Sequence, residues 1–205
     1  MTRTRLLAIS LVLTGLILAS AALAGCNVVK PKMQSVPDLG SAFHFYIPAT
    51  WRENQTPGLI AVYASETLPS DPKAAQSSID SAPSFLVITS AVPQKVPIAD
   101  ELAKLVKLRQ DNRKWKAAQI GQPVATTVGG LPASRVDVTG TDATGVGFKS
   151  SYYLIRTADH EYFLAAQSSP EKWDGFSKQV DTILKDWYWQ SKPGSTPVSG
   201  TIPTQ

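Results

Sequence analysis

Phe43, Phe45 and Ile47 alternate with His44 and Tyr46, a period of two that predicts a strand stopped by Pro48. Further apolar or β-branched runs at 59–64, 85–92, 124–128, 134–138, 148–156 and 161–167 predict strands as well. Turn residues separate the later ones: Gly129-Gly130 before Leu131-Pro132, the Gly-bearing stretch 140–145, and 157–160. The last four runs follow one another through short connections, which predicts an antiparallel meander.

Two segments follow the helical period instead. Ile98, Leu102, Leu105, Leu108 and Trp115 fall close to one face, with Asp100 and Glu101 in the first turn, where the helix dipole favours acids. Asp100 and Lys104 are spaced to pair at i,i+4. In the second segment Trp173, Phe176, Val180, Ile183, Leu184 and Trp187 form the apolar stripe, and Ser169-Pro170 supplies an N-cap and a first helical residue. Both helices need an apolar surface to cover, and the meander offers one, so the expected class is α+β.

A third pattern sits at the start. Arg3 and Arg5 precede an apolar run over 6–18, and small residues follow over 19–25, as in a secretory signal. The closing residues Leu23, Ala24, Gly25 and Cys26 resemble the lipobox of bacterial lipoproteins. That resemblance implies cleavage before Cys26 and acylation of its sulfur and new amino group. The competing reading is an uncleaved anchor, because 6–24 is nearly long enough to span a bilayer. Either outcome predicts a domain outside the cytoplasm: on the outer face of the bacterial cell membrane, or at the outer membrane where the envelope has two. Asn27 follows the cysteine, so the Asp of one inner-membrane retention signal is lacking.

Composition changes meaning in this light. The chain has 205 residues and a formal net charge of +4, with one Cys and two His. Losing 1–25 leaves 180 residues with eighteen Lys and Arg against sixteen Asp and Glu, so the balance falls to +2. No case for nucleic acid binding survives. A single cysteine excludes an intramolecular disulfide framework and any multi-cysteine metal cluster.

Residues 26–40 carry Lys30, Pro31, Lys32, Pro37 and Gly40 with little apolar period and read as a tether. Residues 191–205 hold three prolines, two glycines and only Lys192 as a charge, and read as a disordered tail. The folded domain is expected within 41–190. Phe43-His44-Phe45-Tyr46-Ile47-Pro48-Ala49-Thr50-Trp51 resembles the opening strand of the PsbP-like group, and Gly129-Gly130-Leu131-Pro132-Ala133-Ser134-Arg135 resembles its mid-domain turn and strand. The long hairpin and aromatic-rich final helix complete the order. The resemblance implies an α/β/α sandwich around a mainly antiparallel sheet, and a binding or assembly protein rather than an enzyme. An acylated cysteine and short tether replace the N-terminal extension of the photosystem member, which argues against a photosynthetic role.

Candidate chemistry is sparse. There is no Gly-x-Ser-x-Gly elbow. His44 and His160 read as structural or solvated, with a catalytic or ligand role as the alternative; His160 and nearby acids are the one hydrolase candidate. Asp137, Asp142 and the glycines about them offer oxygens to calcium, but an Asp-bearing hairpin is more simply a turn, and no metal or cofactor is expected. Lys104, Lys107, Arg109, Arg113, Lys114 and Lys116 make the first helix and its end basic, a solvated face or a contact for anionic headgroups. Asn54-Gln55-Thr56 is a sequon by chance. Tyr188 and Trp189 leave the stripe that Trp187 continues: either they cover a sheet edge, or with Trp51 and the loop at 67–81 they border a site for a partner. The expected function is a lipid-anchored, non-enzymatic binding or assembly module for an envelope protein complex. The alternative is a small-molecule carrier or sensor with a pocket between sheet and helix.

Overall fold

A computed structural model of the chain describes residues 32–37, 42–56, 58–63, 83–91, 96–158 and 160–190. In chain order the elements are β1 (Met33–Pro37), β2 (Phe43–Pro48), β3 (Arg52–Thr56), β4 (Leu59–Tyr63), β5 (Ser84–Ala91), α1 (Ile98–Arg113), β6 (Lys116–Ile120), β7 (Val124–Val128), β8 (Leu131–Thr141), β9 (Gly147–Arg156), β10 (His160–Ser168), α2 (Pro170–Lys185) and β11 (Tyr188–Trp189). The signal, the tether as far as residue 31, the loop at 67–81 and the tail at 191–205 lie outside the described residues.

The predicted meander is present: β7, β8, β9 and β10 pair antiparallel in succession. The first turn is a two-residue hairpin in which Val128 faces Leu131 and both Gly129 and Gly130 have positive φ, the backbone that matches strand twist. Beyond β10 the sheet continues through β5, β4 and β3 to eight strands. β7 and β6 share one edge, each pairing with a different half of β8.

Alternation along these strands feeds two cores. Val136, Phe148, Tyr152 and Leu154 face Leu102 and Val106 of α1. Phe85, Tyr162, Leu164 and Ile155 face the other way, towards Phe176, Val180 and Ile183 of α2 and towards Phe43 and Phe45 of β2. The third layer therefore contains α2 together with a small antiparallel sheet ordered β1-β2-β11. The fold is α+β, with a mainly antiparallel sheet between helices as expected and this three-stranded sheet added to it.

Several local expectations are corrected. Met33–Pro37 belongs to the fold rather than to the tether: it pairs with β2 over five residues and buries Val36, a gain that a window poor in apolar period does not announce. The first helix stops at Arg113, because Lys114 adopts left-handed backbone (φ 53°); Trp115 is buried after the turn rather than on the helix. Leu108 is 54% exposed, since the stripe that meets the sheet runs through Leu102 and Val106. Lys104 pairs with Glu101 at 3.7 Å instead of Asp100. The strands β3 and β6, rich in polar residues, depart from the expected pattern; pairing to β4 and to β8 makes them strands.

Candidate functional site

Arg135 leaves β8 on the face that α2 covers, two residues before Asp137. On the neighbouring strand β9, Ser151 and Tyr153 stand opposite them, since Asp137 pairs with Ser151 and Arg135 with Tyr153. The period of two thus places four polar side chains in one square. Arg135 Nε donates to Asp137 Oδ1 at 2.8 Å and Nη2 donates to Ser151 Oγ at 3.2 Å. Ser151 Oγ in turn donates to Asp137 Oδ1 at 2.5 Å. The guanidinium carbon lies 5.6 Å from the centre of the Tyr153 ring.

A cleft of about 290 Å³ opens over this square. Its walls are Thr126 and Thr127 of β7, the Gly129-Gly130 turn, and Asp181, Leu184 and Lys185 of α2. Asp181 and Lys185 are four residues apart on the helix and so present opposite charges side by side. Burial pushes the Tyr153 phenol up to about 12 despite the Arg135 charge nearby, so it stays neutral and can donate at physiological pH. Arg135 is held on two sides and half exposed, which leaves a fixed cation to meet a ligand from the cleft. The chain's histidines stand elsewhere: His44 on β2, and His160 at the start of β10, where its backbone N–H donates to Thr157 Oγ1. The arrangement suits recognition of polar, charged groups.

The residues expected from sequence fall in different places. Cys26, Leu23, Ala24 and Gly25 lie outside the described residues. Trp51 is 5% exposed and stacks on Phe176 with ring centres 5.6 Å apart, so it is a core residue and not the rim of a site. Trp189 turns inward: its ring lies 4.9 Å from Tyr162 and its Nε1 donates to the Val128 carbonyl at 3.0 Å. Tyr188 turns outward and remains 41% exposed. The three therefore do not form one surface, because adjacent strand residues point to opposite faces and Trp51 is claimed by α2.

Asp137 and Asp142 also separate. Asp137 belongs to the Arg135 square, whereas Asp142 Oδ1 accepts bonds from Thr144 N at 2.8 Å, Thr144 Oγ1 at 2.7 Å and Val146 N at 2.9 Å. Burial opposes its charge, but these donors outweigh burial and hold the carboxyl below its usual range. Among the described residues no group of three or more His, Cys, Asp or Glu could hold a metal ion. On α1, Lys107 pairs with Asp111 at 2.9 Å and Arg109 lies over Tyr152, with its Cζ 5.7 Å from the ring centre.

Sequence reasoning reached Arg135 only as part of a turn motif and did not reach Tyr153, Asp181 or Lys185 as site residues. The alternation of β8 and β9 carried the signal for the first two. Nothing local indicated that α2 would bring the others to the same cleft.

No protein-family model matches the chain, and no curated protein matches it. Solved structures do. The solution structure of cyanobacterial PsbP (CyanoP) from Synechocystis sp. PCC 6803 aligns with a TM-score of 0.53 and 15% identity, covering 82% of this chain and 99% of that one. The Ran-binding protein Mog1p of Saccharomyces cerevisiae aligns with a TM-score of 0.51 and 10% identity, covering 78% and 96%. The chain thus has the PsbP/Mog1-like fold.

Proposed function

We propose that the chain is a lipid-anchored extracytoplasmic protein whose domain binds or helps assemble an envelope protein complex without catalysing a reaction. The lipobox-like sequence at Leu23 to Cys26 supports the anchor. The observation that carries the binding role is the polar cleft at Arg135, whose guanidinium is fixed by Asp137 and Ser151 and faced by Asp181 and Lys185. A similarly folded protein is described as Ran-binding, which supports protein recognition as a use of this fold.

The test is affinity purification of the full-length protein from cross-linked membranes of its own cells. The proposal expects a stoichiometric protein partner that Lys185→Glu and Arg135→Met both deplete, with Cys26 carrying lipid by mass spectrometry. Recovery of free monomer alone, or of the same partner with both variants, would overturn the binding site. Trp189→Ala is unsuitable for this purpose because Trp189 is built into the fold. The cleft volume also favours a second reading, a carrier of a polar small molecule; retention of such a molecule in native mass spectra, lost with Arg135→Met, distinguishes it.

A further inference from the structure

The small sheet has an outer face that nothing among the described residues covers. On β2, Phe43, Phe45 and Ile47 point inward, so His44 and Tyr46 point outward. The antiparallel registers bring Ser35 of β1 beside Tyr46 and Tyr188 of β11 beside His44. The His44 ring lies 4.7 Å from Tyr188 and 5.6 Å from Tyr46, which makes an aromatic row across two strands. Met33 is on the same face. Met33, Tyr46 and Tyr188 are 36%, 37% and 41% exposed, and they are three of the eight large apolar side chains left exposed among the described residues.

The chain enters the fold beside this face. The Ala49 N–H donates to the Lys32 carbonyl at 2.7 Å, which fixes the entry point at the strand that forms the sheet edge. Six peptide steps separate Lys32 from Cys26, and an extended chain of that length reaches about 20 Å. A domain of this size is about 40 Å across. A lipid on Cys26 therefore cannot let the far layer of the domain touch the membrane while the near one stands clear of it.

We infer that the outer face of the small sheet, carrying Met33, His44, Tyr46 and Tyr188, rests on the headgroup interface of the lipid bilayer that holds Cys26. Tyrosine suits that depth, because its ring is apolar and its hydroxyl is satisfied by water and headgroups. Lys32, exposed at the entry, adds attraction to anionic lipid. The rival membrane surface, basic α1, lies on the opposite side of the eight-stranded sheet, and its Lys104 and Lys107 are matched by Glu101 and Asp111. This inference rests on the lipoprotein reading and adds to it an orientation.

The experiment uses the full-length, membrane-processed protein in vesicles of phosphatidylcholine and phosphatidylglycerol, some with brominated acyl chains. An environment-sensitive fluorophore is placed at Ser35→Cys or, on the far layer, at Leu108→Cys. The mass of the purified protein reports lipid on Cys26 independently. The expected result is blue-shifted emission quenched by brominated lipid at position 35, water-like emission at 108, and loss of the shift at 35 when Tyr46→Ser and Tyr188→Ser are combined. Water-like emission at 35 with lipid present on Cys26 overturns the orientation and leaves the lipoprotein reading intact. Quenching at 108 but not at 35 assigns the contact to α1 and also overturns it. Cys26 found without lipid overturns the lipoprotein reading, and this inference with it.

Discussion

The indole Nε1 of Trp189 donates to the Val128 carbonyl at 3.0 Å, tying β11 to the end of β7. This bond closes the third layer onto the central sheet. Trp189→Phe keeps the ring and removes the donor, so unfolding free energy should fall by about 1 kcal/mol. Trp189→Ala also leaves a void among Phe43, Tyr162 and Trp187 and should cost about 3 kcal/mol. Urea unfolding followed by circular dichroism measures both; an unchanged midpoint for Trp189→Ala would show that the ring is not structural.

Gly129 and Gly130 predict different outcomes despite their shared positive φ. A Cβ at Gly129 would meet the Trp187 carbonyl at 2.5 Å and Trp189 Nε1 at 2.7 Å, while one at Gly130 would meet nothing within 4 Å. Gly130→Ala should cost only the left-handed backbone penalty of about 1–2 kcal/mol. Gly129→Ala must in addition displace backbone and a tethered ring, and should be the more damaging by at least about 2 kcal/mol. Equal melting temperatures for the two variants would contradict this account.

Arg156 pins the start of α1 to the β9–β10 hairpin. Its Nε donates to Glu161 Oε1 at 2.5 Å and its Nη1 to the Val96 carbonyl at 2.5 Å, and Glu161 is 2% exposed. Arg156→Met leaves that carboxylate buried without its counter-charge, at a cost of about 3–5 kcal/mol. Arg156→Met combined with Glu161→Gln should recover much of the loss. A double variant as unstable as the two single losses added would refute coupling between the pair, as measured by a double-mutant cycle.

Tyr153 makes the alkaline limb of stability informative. Its pKa is raised from 10 to about 12 chiefly by burial, so the folded state binds the phenolic proton more tightly than the unfolded state. That contribution is fully present below about pH 10 and is lost as pH rises towards 12. Tyr153→Phe should therefore flatten the decline of unfolding free energy between pH 10 and 12. An equally steep decline in the variant would assign the limb to other groups.

The meander shows how much of the fold is local. Strong alternation at 148–156 and 161–167, with Gly129-Gly130 at the preceding turn, specifies strands and one hairpin because side-chain period and turn backbone are properties of neighbouring residues. The stripe from Phe176 to Leu184 is equally local. β1, β3 and β6 were not legible in this way, since their own residues carry little apolar period and hydrogen bonds to a neighbouring strand make them strands.

Trp51, Tyr188 and Trp189 divide along the same line. Their aromatic character marked them by sequence as side chains needing a place, but only packing assigned Trp51 to α2, Trp189 to the Val128 carbonyl and Tyr188 to the open face. The four members of the Arg135 square are legible two by two along β8 and β9; their cleft with Asp181 and Lys185 is not, because α2 follows β9 by a whole strand. The sequence by itself determined the strand and helix periods, the α+β class and the lipobox-like pattern, all written in short spans of chain. Tertiary structure alone decided which side chains became core, cleft or open face, because burial depends on what the rest of the chain brings against each residue.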